Sequence, residues 1–180
     1  MKKEIYLITL KAEERAGLLH LITGMIEKPQ IEIKSLILAP SNIHGIVAIN
    51  IELHVKSQSI STLALKLENI IEVLSVQVAQ HEQVIAIRAA YFRLAKGFLA
   101  DTAFTELHKH RAMIVNWSAD EFIVAHHGND QSVRLLYNLV DGPFLLGFSQ
   151  TGLISEQSIN DFDAQDRVEN TIERITRLAA

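Results

Sequence analysis

The N-terminal stretch alternates along KKEIYLITLKAEE, where Ile5, Leu7 and Thr9 interleave with Tyr6, Ile8 and Leu10. So apolar a run suits a strand covered on one or both faces. Leu18, Ile22, Met25 and Ile26 then recur at helical spacing. Pro29 lacks an amide proton and disfavours helix in the residue before it, so this helix should end near Glu27 or Lys28. Residues 31–38 read as strand, Pro40, Ser41, Asn42 and Gly45 as turn, and residues 46–55 as a second alternating strand. The polar SQSIST opens another helix whose stripe is Leu63, Leu67 and Ile70, and LSVQVAQ (74–80) closes the half.

After the polar link His81-Glu82-Gln83 the same order begins again. VIAIRAAYF reads as strand, residues 99–110 as helix, AMIVNW and EFIVAHH as a hairpin, SVRLLYNLV as helix and FLLGFSQTGLI as a final strand. Each half follows the split βαβ plan of ferredoxin-like domains. The expected class is α+β: two βαββαβ domains, residues 1–81 and 82–156, each with two helices on one face of a mixed sheet and the other face free. Beyond Glu156 the acidic SINDFDAQD precedes an amphipathic stretch with Val168, Ile172, Ile175 and Leu178 on one side. Residues 157–180 therefore read as a helical tail, either docked on its own domain or offered to a partner.

Several of these segments carry a family resemblance. The strand–loop–AGLL–helix opening, with IEIKSLILAPS after it, resembles an ACT domain, a small regulatory module that senses amino acids. VIAIRAAYF, HRAMIVNWSADEFIVAHHG and FLLGFSQTGLI are similar in order and spacing to the second domain of the acetolactate (acetohydroxyacid) synthase small subunit. The resemblance spans about residues 2–156. It implies a non-catalytic regulatory subunit that pairs with itself through the ACT-like half. It also implies a thiamine-diphosphate-dependent catalytic large subunit as partner, in branched-chain amino-acid biosynthesis, with no cofactor bound by this chain. Two further readings of the same residues are a free-standing ACT-type amino-acid sensor and a metal-responsive ferredoxin-like protein.

The candidate effector site follows from the resemblance: the loop Glu14, Arg15, Ala16, Gly17 and Leu18, with Glu32 and Ile33 at the start of the second strand. Physical chemistry supports the location, because unpaired N–H groups at a helix start attract a carboxylate and glycine permits close approach. The same residues also suit a plain strand-to-helix turn. Where the family typically carries Asn, this chain has Glu14 and Glu32. An ionised carboxylate only accepts hydrogen bonds, so it could hold an ammonium but repels a carboxylate. Valine is therefore expected to bind weakly or not at all.

Composition narrows the alternatives. The 180 residues are 48% hydrophobic and 21% charged, with a net charge of −4 and no cysteine. That describes a globular chain without disulfides or thiolate metal sites. No Lys/Arg cluster is present to neutralise phosphates, so nucleic acid is not an expected partner. No segment reaches membrane-spanning length, and the N-terminus lacks a signal-peptide core, so a cytoplasmic location is expected. The eight histidines include His108, His110, His126 and His127. Positions i and i+2 on a helix, or adjacent positions on a strand, point to different sides, so neither pair chelates by itself; one His from each could meet across the sheet, but no metal site is expected. Asp101, Asp120, Asp130 and Asp141 read as caps near element ends. Trp117 reads as core or dimer packing.

Overall fold

The computed structural model describes residues 3–159. The expected tail helix, with Val168, Ile172, Ile175 and Leu178, lies outside them. The first half runs β1 (Lys3–Glu13), α1 (Leu18–Ile26), β2 (Glu32–Pro40), β3 (Ile46–Lys56), α2 (Ser57–Glu68) and β4 (Val73–Gln80). Its strands lie in the order β2-β3-β1-β4. The second half runs β5 (Ala86–Ala95), α3 (Thr102–Glu106), β6 (Met113–Trp117), β7 (Glu121–Gly128), α4 (Asp130–Val140), β8 (Leu145–Gln150) and β9 (Ile154–Ser155). Its order is β6-β7-β5-β8, with β9 added beside β5. Every pairing is antiparallel, so the sheets are not mixed as expected. The reason is topological: each helical crossover returns the chain beside a strand it did not leave, two places across the sheet.

Helix α1 buries Leu18, Ile22 and Ile26, spaced four apart, and α2 buries Ile60, Leu63 and Leu67. Both stripes pack on Ile8, Leu10 and Ala12 of β1 and on Val47, Ile49, Ile51, Leu53 and Val55 of β3. Ile70 is buried too, in the turn after α2. Each fully buried Leu or Ile stabilises by roughly 1.5–3 kcal/mol relative to exposure, so this helix-covered layer is the main anchor of the first half.

The other face of the first sheet is not free, contrary to expectation. Leu7 is buried with Ala86 and Leu153. The Ser158 hydroxyl donates to Asn50 Oδ1 at 2.9 Å, and Lys11 Nζ donates to the Ile159 carbonyl at 3.1 Å. The segment 151–159 of the second half thus lies across the first sheet. Gly152 makes the approach possible, since a Cβ there would sit 2.7 Å from Ser35 Oγ.

Two further expectations are corrected in the second half. Residues 99–110 do not form one helix: a 3-10 turn covers Lys96–Ala100, α3 has five residues, and successive turns lead to Arg111 at φ +54. Asp101 caps α3 by accepting from the Ala103 amide at 2.9 Å. Aromatic rings cluster around this short helix. Phe98 lies 6.3 Å from Phe144 and 6.4 Å from both Phe104 and Phe122. Residues 144–154 do not form one strand either, because the chain leaves β8 at Thr151 and rejoins β5 as β9. Thr151 holds the bend, its amide donating to the Ala89 carbonyl and its hydroxyl accepting from the Ala89 amide. Helix α4 buries Val133, Leu136 and Val140 against the sheet. Among the described residues nothing covers the opposite face of this second sheet, where Tyr91 and Met113 are about half exposed.

Candidate functional site

The loop between β1 and α1 is a built turn. The Glu14 amide donates to the Gly45 carbonyl at 2.7 Å, and the Glu13 amide to the Glu72 carbonyl at 2.8 Å. Arg15 Nη1 donates to Glu72 Oε1 at 2.9 Å, so Arg15 is committed to a neighbouring turn. Gly17 caps α1 with φ +87, a left-handed conformation that favours glycine. No side chain caps the helix start, and a Cβ at Gly17 would meet nothing within 4 Å. Among the described residues, the space beside Gly17 is open. Leu18 is buried in the core, and its amide donates to the Arg15 carbonyl at 3.2 Å.

Glu32 opens β2 with its carboxylate 2.6 Å from Lys34 Nζ and 3.2 Å from His54 Nδ1. Hydrogen bonds from Lys34 first and His54 second hold its carboxyl below the usual carboxylate range. Ile33 beside it is exposed on the edge strand.

Within one chain the two parts of this site lie apart. Glu32 pairs with His54 on β3, whereas Glu13, just before the loop, pairs with Ile46. Eight residues of β3 separate those positions, about 27 Å along a strand. Only a second copy could bring them together.

The structure assembles a different cluster, at the junction of the two halves. Arg88 of β5 is buried; its Nη2 lies 3.3 Å from Glu52 Oε2, and its Nε contacts Asp130 Oδ1. Glu52 Oε2 also accepts from Ser35 Oγ at 3.0 Å, and Asp130 Oδ2 lies 3.0 Å from His81 Nε2. Asp130 is therefore not a cap: Asn129 caps α4 by accepting from the Ser132 amide at 2.9 Å. Glu52, His81 and Asp130 bring potential metal-ligating atoms within 4.8 Å of one another. The guanidinium already supplies the positive charge between the two carboxylates, which makes the group an ionic junction. The sequence offered one signal for it, an arginine inside the apolar run AIRAAYF.

His126 and His127 point to different sides of the strand, as their spacing implies, but His110 comes to lie beside His126. His126 is buried with Nε2 3.0 Å from Ser132 Oγ, while His127 faces solvent. Burial first, then the neighbouring His110 and His127, lower the pKa of His126. Trp117 is half exposed and stacks on Phe122 at 5.2 Å.

No family model matches the chain. It is 24% identical over 151 residues to the acetolactate synthase small subunit of Bacillus subtilis (strain 168), a match covering 81% of this chain and 86% of that protein. Its fold superimposes on the acetolactate synthase small subunit from Thermotoga maritima with a TM-score of 0.75 and 15% identity, over 89% of this chain and 99% of that one. The chain is thus a distant relative of acetolactate synthase small subunits, similar to them in sequence along most of its length and built of two ACT-like βαββαβ units.

Proposed function

We propose that this protein is a regulatory subunit that does no chemistry itself and modulates a thiamine-diphosphate-dependent acetolactate synthase catalytic subunit. The observation that carries the reading is the alignment to a small subunit over 151 residues, which is long enough to run through both halves of the chain. A regulatory subunit works by differential affinity: whatever binds one arrangement of the assembly better shifts the whole population toward it. On this reading the protein acts in the cytoplasm, in branched-chain amino-acid biosynthesis. The test is co-expression with the catalytic subunit from the same genome. The two should co-purify, and the catalytic rate should rise on association. A catalytic subunit that neither binds nor responds would overturn the reading.

The effector site on this reading needs two copies joined along β2, whose outer edge has no partner strand among the described residues. A twofold pairing centred near Leu36 sets Glu32 of one copy opposite Pro40 of the other, at the loop end of the sheet. Three strand spacings, about 14 Å, then separate that glutamate from β1. An amino acid with its side-chain partners fits such a gap. The backbone N–H groups of the loop Glu14, Arg15, Ala16, Gly17 and Leu18 would face the carboxylate end, with the Glu14 side chain suited only to the ammonium, and Glu32 and Ile33 of the second copy would take the remainder. Calorimetry with L-valine tests this. The wild type should bind weakly or not at all, and the double variant Glu14→Asn, Glu32→Asn should bind measurably. Adding Gly17→Asn, whose side chain tolerates positive φ, should fill the open space and abolish the gain.

A second reading, a free-standing ACT-type sensor with a changed or lost effector, is favoured by one observation: Glu32 is already paired with Lys34 and hydrogen-bonded to His54. Genome context separates the two, since a neighbouring gene for the catalytic subunit supports the first.

A further inference from the structure

A cleft of about 410 Å³ opens between the two halves, beside the ionic junction. Ile5 and Lys34 line it from the first half, and Val133, Arg134, Tyr137 and Phe148 from the second. Its walls carry one more cation than carboxylates, and the charges are not equally engaged. Lys34 is held by Glu32. Arg88 lies between Glu52 and Asp130. Arg134 follows Asp130 by four residues on α4, the spacing at which the two would ordinarily pair. Both oxygens of Asp130 are taken, one by Arg88 and one by His81. Arg134 is therefore left without an ion pair or hydrogen bond among the described residues, at the mouth of a cavity. Next to it, Tyr137 and Phe148 meet edge to face with ring centres 5.0 Å apart.

We propose that this cleft binds a small monocarboxylate with a compact apolar tail. A guanidinium with all its donors available takes a carboxylate as a bidentate pair, and the planar fork fixes its orientation. The tail lies against Val133 and the Tyr137–Phe148 pair, and the cavity is of the size that small ligands occupy. The walls carry a net positive charge, and Glu52 Oε2 and both oxygens of Asp130 are already engaged, so the cleft disfavours an α-ammonium group. The preferred ligand is thus the amine-free acid and not the amino acid. Because both halves line the cleft, its occupant also ties them together. This site is separate from the β1–α1 loop and does not depend on the reading proposed for that loop.

The experiment is titration of the full chain, by calorimetry and by amide NMR shifts, with three probes sharing one carbon skeleton: 4-methylpentanoate, L-leucine and L-leucinamide. The acid should bind saturably, at one site per chain, and shift amides of α4 and β8. L-leucine should bind more weakly and L-leucinamide not at all. Arg134→Ala should weaken the acid about tenfold or more, as expected for a lost charge-assisted pair. Arg134→Lys should recover part of that loss, and Gly17→Asn should change nothing. Arg134 is exposed, so neither of its variants threatens the fold. Absence of saturable binding by the acid, tighter binding of L-leucine than of the acid, or equal affinity in Arg134→Ala would each overturn the proposal.

Discussion

Arg88 and Glu52 meet across the boundary between the two halves, Nη2 to Oε2 at 3.3 Å, with both side chains more than nine-tenths buried. One comes from β5 of the second sheet and the other from β3 of the first. Breaking a buried pair by removing one member leaves the other charge unpaired, which costs about 3–5 kcal/mol. Arg88→Ala should therefore lower the unfolding free energy in urea by that order. The double variant Arg88→Ala, Glu52→Gln should regain part of it. An unchanged urea midpoint in Arg88→Ala would show that the pair is not formed in solution.

Gly152 makes a related prediction. A methyl group there would meet Ser35 Oγ at 2.7 Å and Ile37 Cγ1 at 3.0 Å, so the segment 151–159 must lift from the first sheet. Overpacking of this kind costs typically 1–3 kcal/mol. Gly152→Ala should lower the melting temperature and speed amide exchange in 153–159, while exchange in α1 and α2 stays close to wild type.

His126 sets a pH dependence. Its pKa is lowered in the folded state from an ordinary value of 6.5, by burial and by the nearby His110 and His127. The unfolded chain then takes up the proton first. Stability from this group is present above about pH 6.5 and is lost as pH falls, by at most about 1.4 kcal/mol per pH unit. Urea midpoints at pH 7.5 and 5.5 should differ more in the wild type than in His126→Gln. Equal differences would place the acid sensitivity elsewhere.

The edge of β2 predicts assembly. Leu38 is exposed on that strand, next to the outer backbone groups that a second copy would pair. Light scattering at micromolar concentration should give twice the chain mass of 20.2 kDa, and Leu38→Lys should shift it toward one chain. A wild-type protein of single-chain mass would remove the basis for a shared effector site.

Local pattern made most of the architecture legible. Alternation placed β1 and β3, four-residue spacing placed α1 and α2, and Pro29 marked the end of α1. Each of these follows from contacts within a few residues, where the backbone period dictates which side chains share a face. The same rule kept His126 and His127 from being read as a chelating pair. The unbroken apolar run of β1 even hinted at two covered faces. What covers the second face was not legible, because Leu153 and Ser158 reach Leu7 and Asn50 from the far end of the chain at no fixed spacing. The short α3 was missed for a similar reason: Phe104 on it packs with Phe98 and with Phe122 of a distant strand, contacts that no local spacing announces. Asp130 read as a cap because its position fits one, yet Arg88 and His81 outcompete the helix start for its oxygens. Tertiary structure alone decided which surfaces meet, since a buried charge goes wherever its counter-charge is brought, and only the folded chain brings Glu52, Arg88 and Asp130 together.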